Sequence, residues 1–166
     1  MAQKGIKDLL LDELRDIYDA EKQGLKGMRK IMKKVSSETL RQAFETHAQQ
    51  TEEQVERLKQ AFELLESRPR GKHCDAMEGL LSEAQSLLDD DLAPEVLDAA
   101  LLAAQQKIEH YEIAAYGTAH AFAEGIGNTE LAELLEQTLN EEKEADKLLN
   151  RIAIEDVNKR AVQAAA

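Results

Sequence analysis

Several carboxylates of this chain fall where a helix carries its apolar core, and a buried carboxylate needs a cation, a proton or a donor. At about 100° per residue, Glu21 lies within about 20° of the centre of the stripe formed by Leu10, Leu14, Ile17, Leu25 and Met28. Glu142 falls near the middle of a second stripe, Leu131, Leu135, Ala145, Leu149 and Ile152, with Asp146 on its shoulder. Glu112 sits on the shoulder of another stripe, with Glu109 one turn earlier and further out. His47, Thr51 and Gln54 interrupt a fourth.

Depth groups these residues. Counted from a turn near Ser36, Glu21 is level with residues 50–54; counted from a turn at Gly125–Gly127, Glu109 and Glu112 are level with Glu141 and Glu142. Carboxylates from three helices then share one layer, and two divalent metals would supply the missing charge. The expected ligand set is Glu21, His47, Gln54, Glu109, Glu112, Glu142 and Asp146. Mostly carboxylate and amide oxygen, it is a hard set that suits Mn, Fe(II), Mg or Ca over copper. The competing reading pairs core-edge carboxylates with Lys, Tyr18 or Tyr111, and makes His47 a satisfied core histidine. Glu-x-x-His, the usual di-iron motif, is absent: Phe44, Arg70, Lys107 and Gly117 stand three before His47, His73, His110 and His120. Its absence argues against oxidase or catalase-like turnover and leaves metal binding open. His73, His110 and His120 read as structural or solvent-facing, and Cys74 as a small buried residue.

The elements that must hold these residues follow from a helical period. Stripes predict helices over about 6–34, 38–66, 76–89, 95–124 and 129–155, with Ser36 or Ser37 as a cap, Pro94 at a helix start and GIGN (125–128) as a turn. The expected fold is all-α: a ferritin-like antiparallel four-helix bundle, two hairpins joined by a long crossover that carries the short 76–89 helix. Residues 1–166 form a single domain in this reading, and NKRAVQAAA a frayed or partner-dependent end. The 95–124 helix is apolar on two sides. Leu102, Ile113, Tyr116 and His120 lie off its main stripe of Leu97, Leu101, Ala104, Ile108, Ala115, Ala119 and Phe122, so the crossover helix or a second subunit is expected to cover them.

Bulk properties agree. Two prolines and few β-branched or aromatic residues leave little material for a sheet. A formal net charge of −12 opposes nucleic acid and anionic membranes and favours cations or a basic partner. One cysteine rules out an intramolecular disulfide, and no apolar run approaches the roughly 20 residues of a membrane span, so a cytoplasmic location is expected.

The segments YDAEKQ (18–23), CDAMEGLLSEA (74–84), KIEHYEIAAYGT (107–118) and LNEEKEADKLL (139–149) closely resemble the YciF-like family of bacterial stress-induced proteins over nearly the whole chain. The resemblance implies a ferritin-like bundle, usually dimeric, similar in shape to rubrerythrin and Dps-type proteins, with a di-metal site of Fe or Mn. It places Glu21 in AEKQ, Glu109 and Glu112 in EHYE, and Glu142 with Asp146 in EEKxxD, while His47, Thr51 and Gln54 match the second-helix pattern. Gln50 stands where the family commonly has Glu, which removes one charge from that helix. The expected function is a stress-associated homodimer that binds metal and handles iron or peroxide. Its rivals are a metal-free dimeric stress protein acting through protein contacts and a cage-forming iron store.

Overall fold

The structure, a computed structural model, describes residues 3–164. It is an all-helical bundle: α1 (Ile6–Ile31), α2 (Glu38–Leu64), α3 (Asp75–Asp89), α4 (Pro94–Gly125), α5 (Thr129–Ile152) and α6 (Asn158–Ala164). Local chemistry sets the boundaries. The Ser37 hydroxyl accepts from Leu40 N at 3.3 Å to start α2, and Asn128 Oδ1 accepts from Leu131 N at 3.1 Å to start α5. Pro94 opens α4, where its missing N–H costs nothing. Gly127, at φ +73°, makes the tight turn between α4 and α5.

Four long helices form a square in which every side is antiparallel. Arg29 of α1 reaches Glu52 of α2, and Gln106 of α4 donates to Asp146 of α5 at 3.2 Å. Tyr116 of α4 reaches back to Glu21 of α1, while at the far end Asp98 of α4 accepts from Ser36 N and Ser37 N, each at 2.8 Å. Arg57 of α2 meets Thr138 and Glu141 of α5, and Ser37 meets Asp156. The α2–α4 connection must therefore travel the length of the bundle, and α3 occupies it.

α3 lies across α1 and α4. Asp19 of α1 accepts from Cys74 N at 2.9 Å, and a Cβ at Gly27 would collide with Leu81, so glycine lets the two helices close. Met77, Cys74, Ala20 and Ile108 form the small core beneath it. The face of α4 that α3 covers is thus the Ile108 face. Two residues expected on an externally covered face, Leu102 and Tyr116, are instead buried within the bundle of this chain. Ile113 packs at the edge of that core, and His120 Nδ1 lies 3.0 Å from the Ala132 carbonyl.

Of the end expected to be frayed or partner-dependent, residues 158–164 are helical rather than frayed, and residues 165–166 lie outside the described residues. After α5 the chain makes one wide π-type turn over Ala153–Val157 and continues as α6 to Ala164. Ala153 and Val157 are buried with Leu101, Leu102, Leu40 and Phe44, and that burial holds the segment in place. Among the described residues, no helix is long and apolar enough to cross a membrane.

Candidate metal centre

Two apolar layers, one around Phe62, Tyr116 and Leu135 and one around Phe44, Leu101 and Ile152, leave a polar layer between them. All four long helices feed it. α1 supplies Glu21, α2 supplies His47, α4 supplies Glu109 and Glu112, and α5 supplies Glu142. Glu21, Glu109 and Glu142 are 0% exposed, Glu112 is 3% and His47 is 6%. Ligand atoms of His47, Glu109, Glu112 and Glu142 lie within 4.8 Å of one another, a spacing that could hold a metal ion.

His47 Nε2 is 3.0 Å from Glu109 Oε1 and 3.6 Å from Glu142 Oε2. Gln105 Nε2 donates to Glu109 at 2.7 Å, and the Tyr116 hydroxyl donates to Glu21 at 2.5 Å. As ionised carboxylates the group is still short of donors. Glu21 Oε2, Glu109 Oε2, Glu112 Oε2 and both Glu142 oxygens have no hydrogen-bond partner among the described residues. Protons can be shared within the pairs Glu21–Glu112 and Glu109–Glu142, but only if one member of each is neutral. Orphaned buried oxygens of this kind fit a cation, because each would otherwise carry its full desolvation cost.

Titration follows from the same geometry. Burial drives Glu21 up to about 7, against the pull of Tyr116 and His47. Burial, reinforced by the neighbouring carboxylates, drives Glu112 and Glu142 well above the usual range. Burial also works against Glu109 and His47, yet their mutual contact wins: Glu109 is lowered and His47 raised. Without a cation the layer therefore favours an ion pair between His47 and Glu109 and the protonated forms of Glu112 and Glu142.

A pH dependence follows. Glu21 titrates near 4.5 unfolded and about 7 folded, so its contribution is complete below pH 4.5 and is lost as the pH rises through about 7. Glu112 and Glu142 have the same sign. His47 does too, its contribution fading as the pH climbs past 6.5 and through the raised folded value, whereas Glu109 favours the opposite direction. Chelator-treated protein should be more stable to urea at about pH 5.5 than at about pH 8, by on the order of 2 kcal/mol for Glu21 alone. A midpoint that rises with pH would mean that the carboxyls find cationic partners inside the protein.

The other residues singled out by spacing lie beside this layer. Asp146 accepts from Gln106 at 3.2 Å and stands 3.2 Å from His110 Nε2, so its carboxylate is used at the surface. Gln54, fully buried, donates to Glu141 at 3.1 Å, in a network with Arg57 that binds Glu141 through both guanidinium nitrogens at 2.9 and 3.0 Å. The Thr51 hydroxyl donates to the His47 carbonyl at 3.0 Å. Gln50 is half-buried beside His47, nearer the surface than the carboxylates. Gln105, Tyr116 and Arg57 were not anticipated. Gln105, Glu109, Glu112 and Tyr116 are spaced four, three and four apart, a polar stripe on α4 that was readable once the correct face was chosen.

Comparison with known proteins matches the same span. Residues 5–162 match the family described as domain of unknown function DUF892. Protein YciF of Escherichia coli K12 is 45% identical over 163 residues, covering 97% of this chain and 98% of that one. The crystal structure of the E. coli stress protein YciF superimposes with a TM-score of 0.90 at 44% identity, over 95% of this chain and 99% of the other. The structure of YcfI, a putative structural protein from Rhodopseudomonas palustris, gives a TM-score of 0.87 at 42% identity, over 89% of this chain and 94% of the other. The match over residues 5–162 and the full-length similarity to YciF place the chain in the DUF892 family, as a YciF-like protein.

Proposed function

We propose that this chain is a stress-associated, ferritin-like protein of the cytoplasm whose bundle core binds a dinuclear Fe or Mn centre, used in iron or peroxide handling. The observation that carries the reading is the set of five partnerless carboxylate oxygens in one buried layer fed by four helices. The square of antiparallel helices with a full-length crossover supports the ferritin-like assignment. Homodimer assembly enters the reading from the family resemblance.

In this reading Glu21 and Glu142 are terminal ligands, Glu112 is the bridge, and Glu109 and His47 complete the shell. Gln105 and Tyr116 hold Glu109 and Glu21 in orientation through their hydrogen bonds. Gln54 and Asp146 act from outside, through Glu141 and His110. The bound pair would supply redox electrons; the residues themselves bind it, orient it and keep bulk water out.

The rival reading, a metal-free stress protein acting through protein contacts, draws on the protonated carboxyls and on the structural role suggested for the R. palustris relative. Thermal melts separate the two. Mn(II) at about a thousandfold its dissociation constant should raise the Tm of chelator-treated protein by about 10 °C. A Tm unmoved by Mn(II) and by anaerobic Fe(II) would favour the metal-free protein.

A further inference from the structure

A cleft of about 130 Å³ runs between α2 and α5 and ends on residues of the buried layer. Burial increases along it. Thr46 and Glu144 at its mouth are exposed, Gln50 and Ala145 are half-buried, and His47, Gln105 and Glu109 at its floor are buried. Its volume is far above the roughly 15 Å³ that one water requires, so it has room for a cation with part of its hydration shell. The floor is polar and under-satisfied: Gln105 is 1% exposed and its Oε1 lacks a partner, as do Glu109 Oε2 and His47 Nδ1, among the described residues. Charge at the mouth does not by itself select the path. Glu144 pairs with Lys147 at 2.6 Å, and Arg57 holds Glu141.

We infer that this cleft is the route by which a divalent cation reaches the carboxylates, passing Glu144 and Gln50 and meeting His47 and Glu109 before Glu142, Glu112 and Glu21. The inference rests on the metal reading above. It also gives Gln50 a place: a neutral amide lining the cleft beside His47, where it bears on how fast a cation loads.

Stopped-flow absorbance with Co(II) as the probe, on the full chain, tests it. Ala145→Phe, which fills the half-buried middle of the cleft, should slow uptake at least about tenfold while the final amplitude stays at the wild-type value. Glu144→Lys, at an exposed position that tolerates substitution, should slow uptake by about tenfold at low ionic strength, with the difference fading in about 1 M salt. It decides the matter if Ala145→Phe fails to fold. Wild-type protein with no Co(II) amplitude would overturn the metal reading and the route together. Wild-type protein that loads Co(II), with both variants loading at the same rate, would overturn the route and leave the metal centre standing.

Discussion

Replacing Glu112 and Glu142 together by leucine is expected to stabilise the metal-free protein while abolishing its metal binding. Both side chains are almost wholly buried, and burial with neighbouring carboxylates pushes both far up, so at neutral pH each opposes folding unless it is protonated. Leucine has similar bulk, needs no partner, and removes three of the five orphaned oxygens. Exchanging buried ionic groups for packed apolar ones is worth about 1–4 kcal/mol, or a Tm rise of roughly 5–10 °C for a chain of this length. Glu109→Leu should act in the opposite sense. It would take from His47 the anion that keeps its ring charged against burial and leave a buried imidazole without its nearest partner, at a cost of about 3–5 kcal/mol. Urea denaturation in chelator resolves the pair. A Glu112→Leu/Glu142→Leu protein less stable than wild type would show these carboxylates to be structural groups.

The second large effect is on metal content. Glu21 and Glu142 come from α1 and α5, and their joint removal leaves donors on α2 and α4 alone. Glu21→Ala with Glu142→Ala should weaken binding by more than about a hundredfold, beyond the loss expected when only an orienting group is removed. Asp146→Asn and Gln54→Ala provide the contrast. Their side chains are spent on His110, Gln106 and Glu141, so retained metal is the expected result for each.

The burial of Glu21 and Glu142 was legible because α1 and α5 each have one apolar stripe, and a residue at its centre has nowhere else to go. Helix ends were legible where a local cap marks them, as at Ser37, Pro94 and Asn128. α4 was harder. It is apolar on two faces, one against α3 and one against the bundle, and periodicity cannot say which neighbour takes which face. That ambiguity hid the Gln105–Tyr116 stripe and directed Tyr116 toward an external partner. Asp146 shows a second limit. Its angle suits the core, but its short carboxylate meets His110 and Gln106 at the helix shoulder, and such a preference depends on the neighbouring helix. Depth along the axis put residues 50–54 level with Glu21, and His47 outside that range, yet its ring reaches Glu109. The C-terminal helix escaped because it buries no side chain of its own; the buried Ala153 and Val157 lie in the turn that precedes it.

Metal content of protein purified without an affinity tag or chelator, measured by elemental mass spectrometry, tests the central claim most directly. The account predicts about two Fe or Mn ions per chain, lost in Glu21→Ala/Glu142→Ala and retained in Asp146→Asn. Protein free of metal as purified, and still free of it after reconstitution with Fe(II) or Mn(II), would contradict the claim and make the buried carboxyls proton-holding parts of an interaction protein.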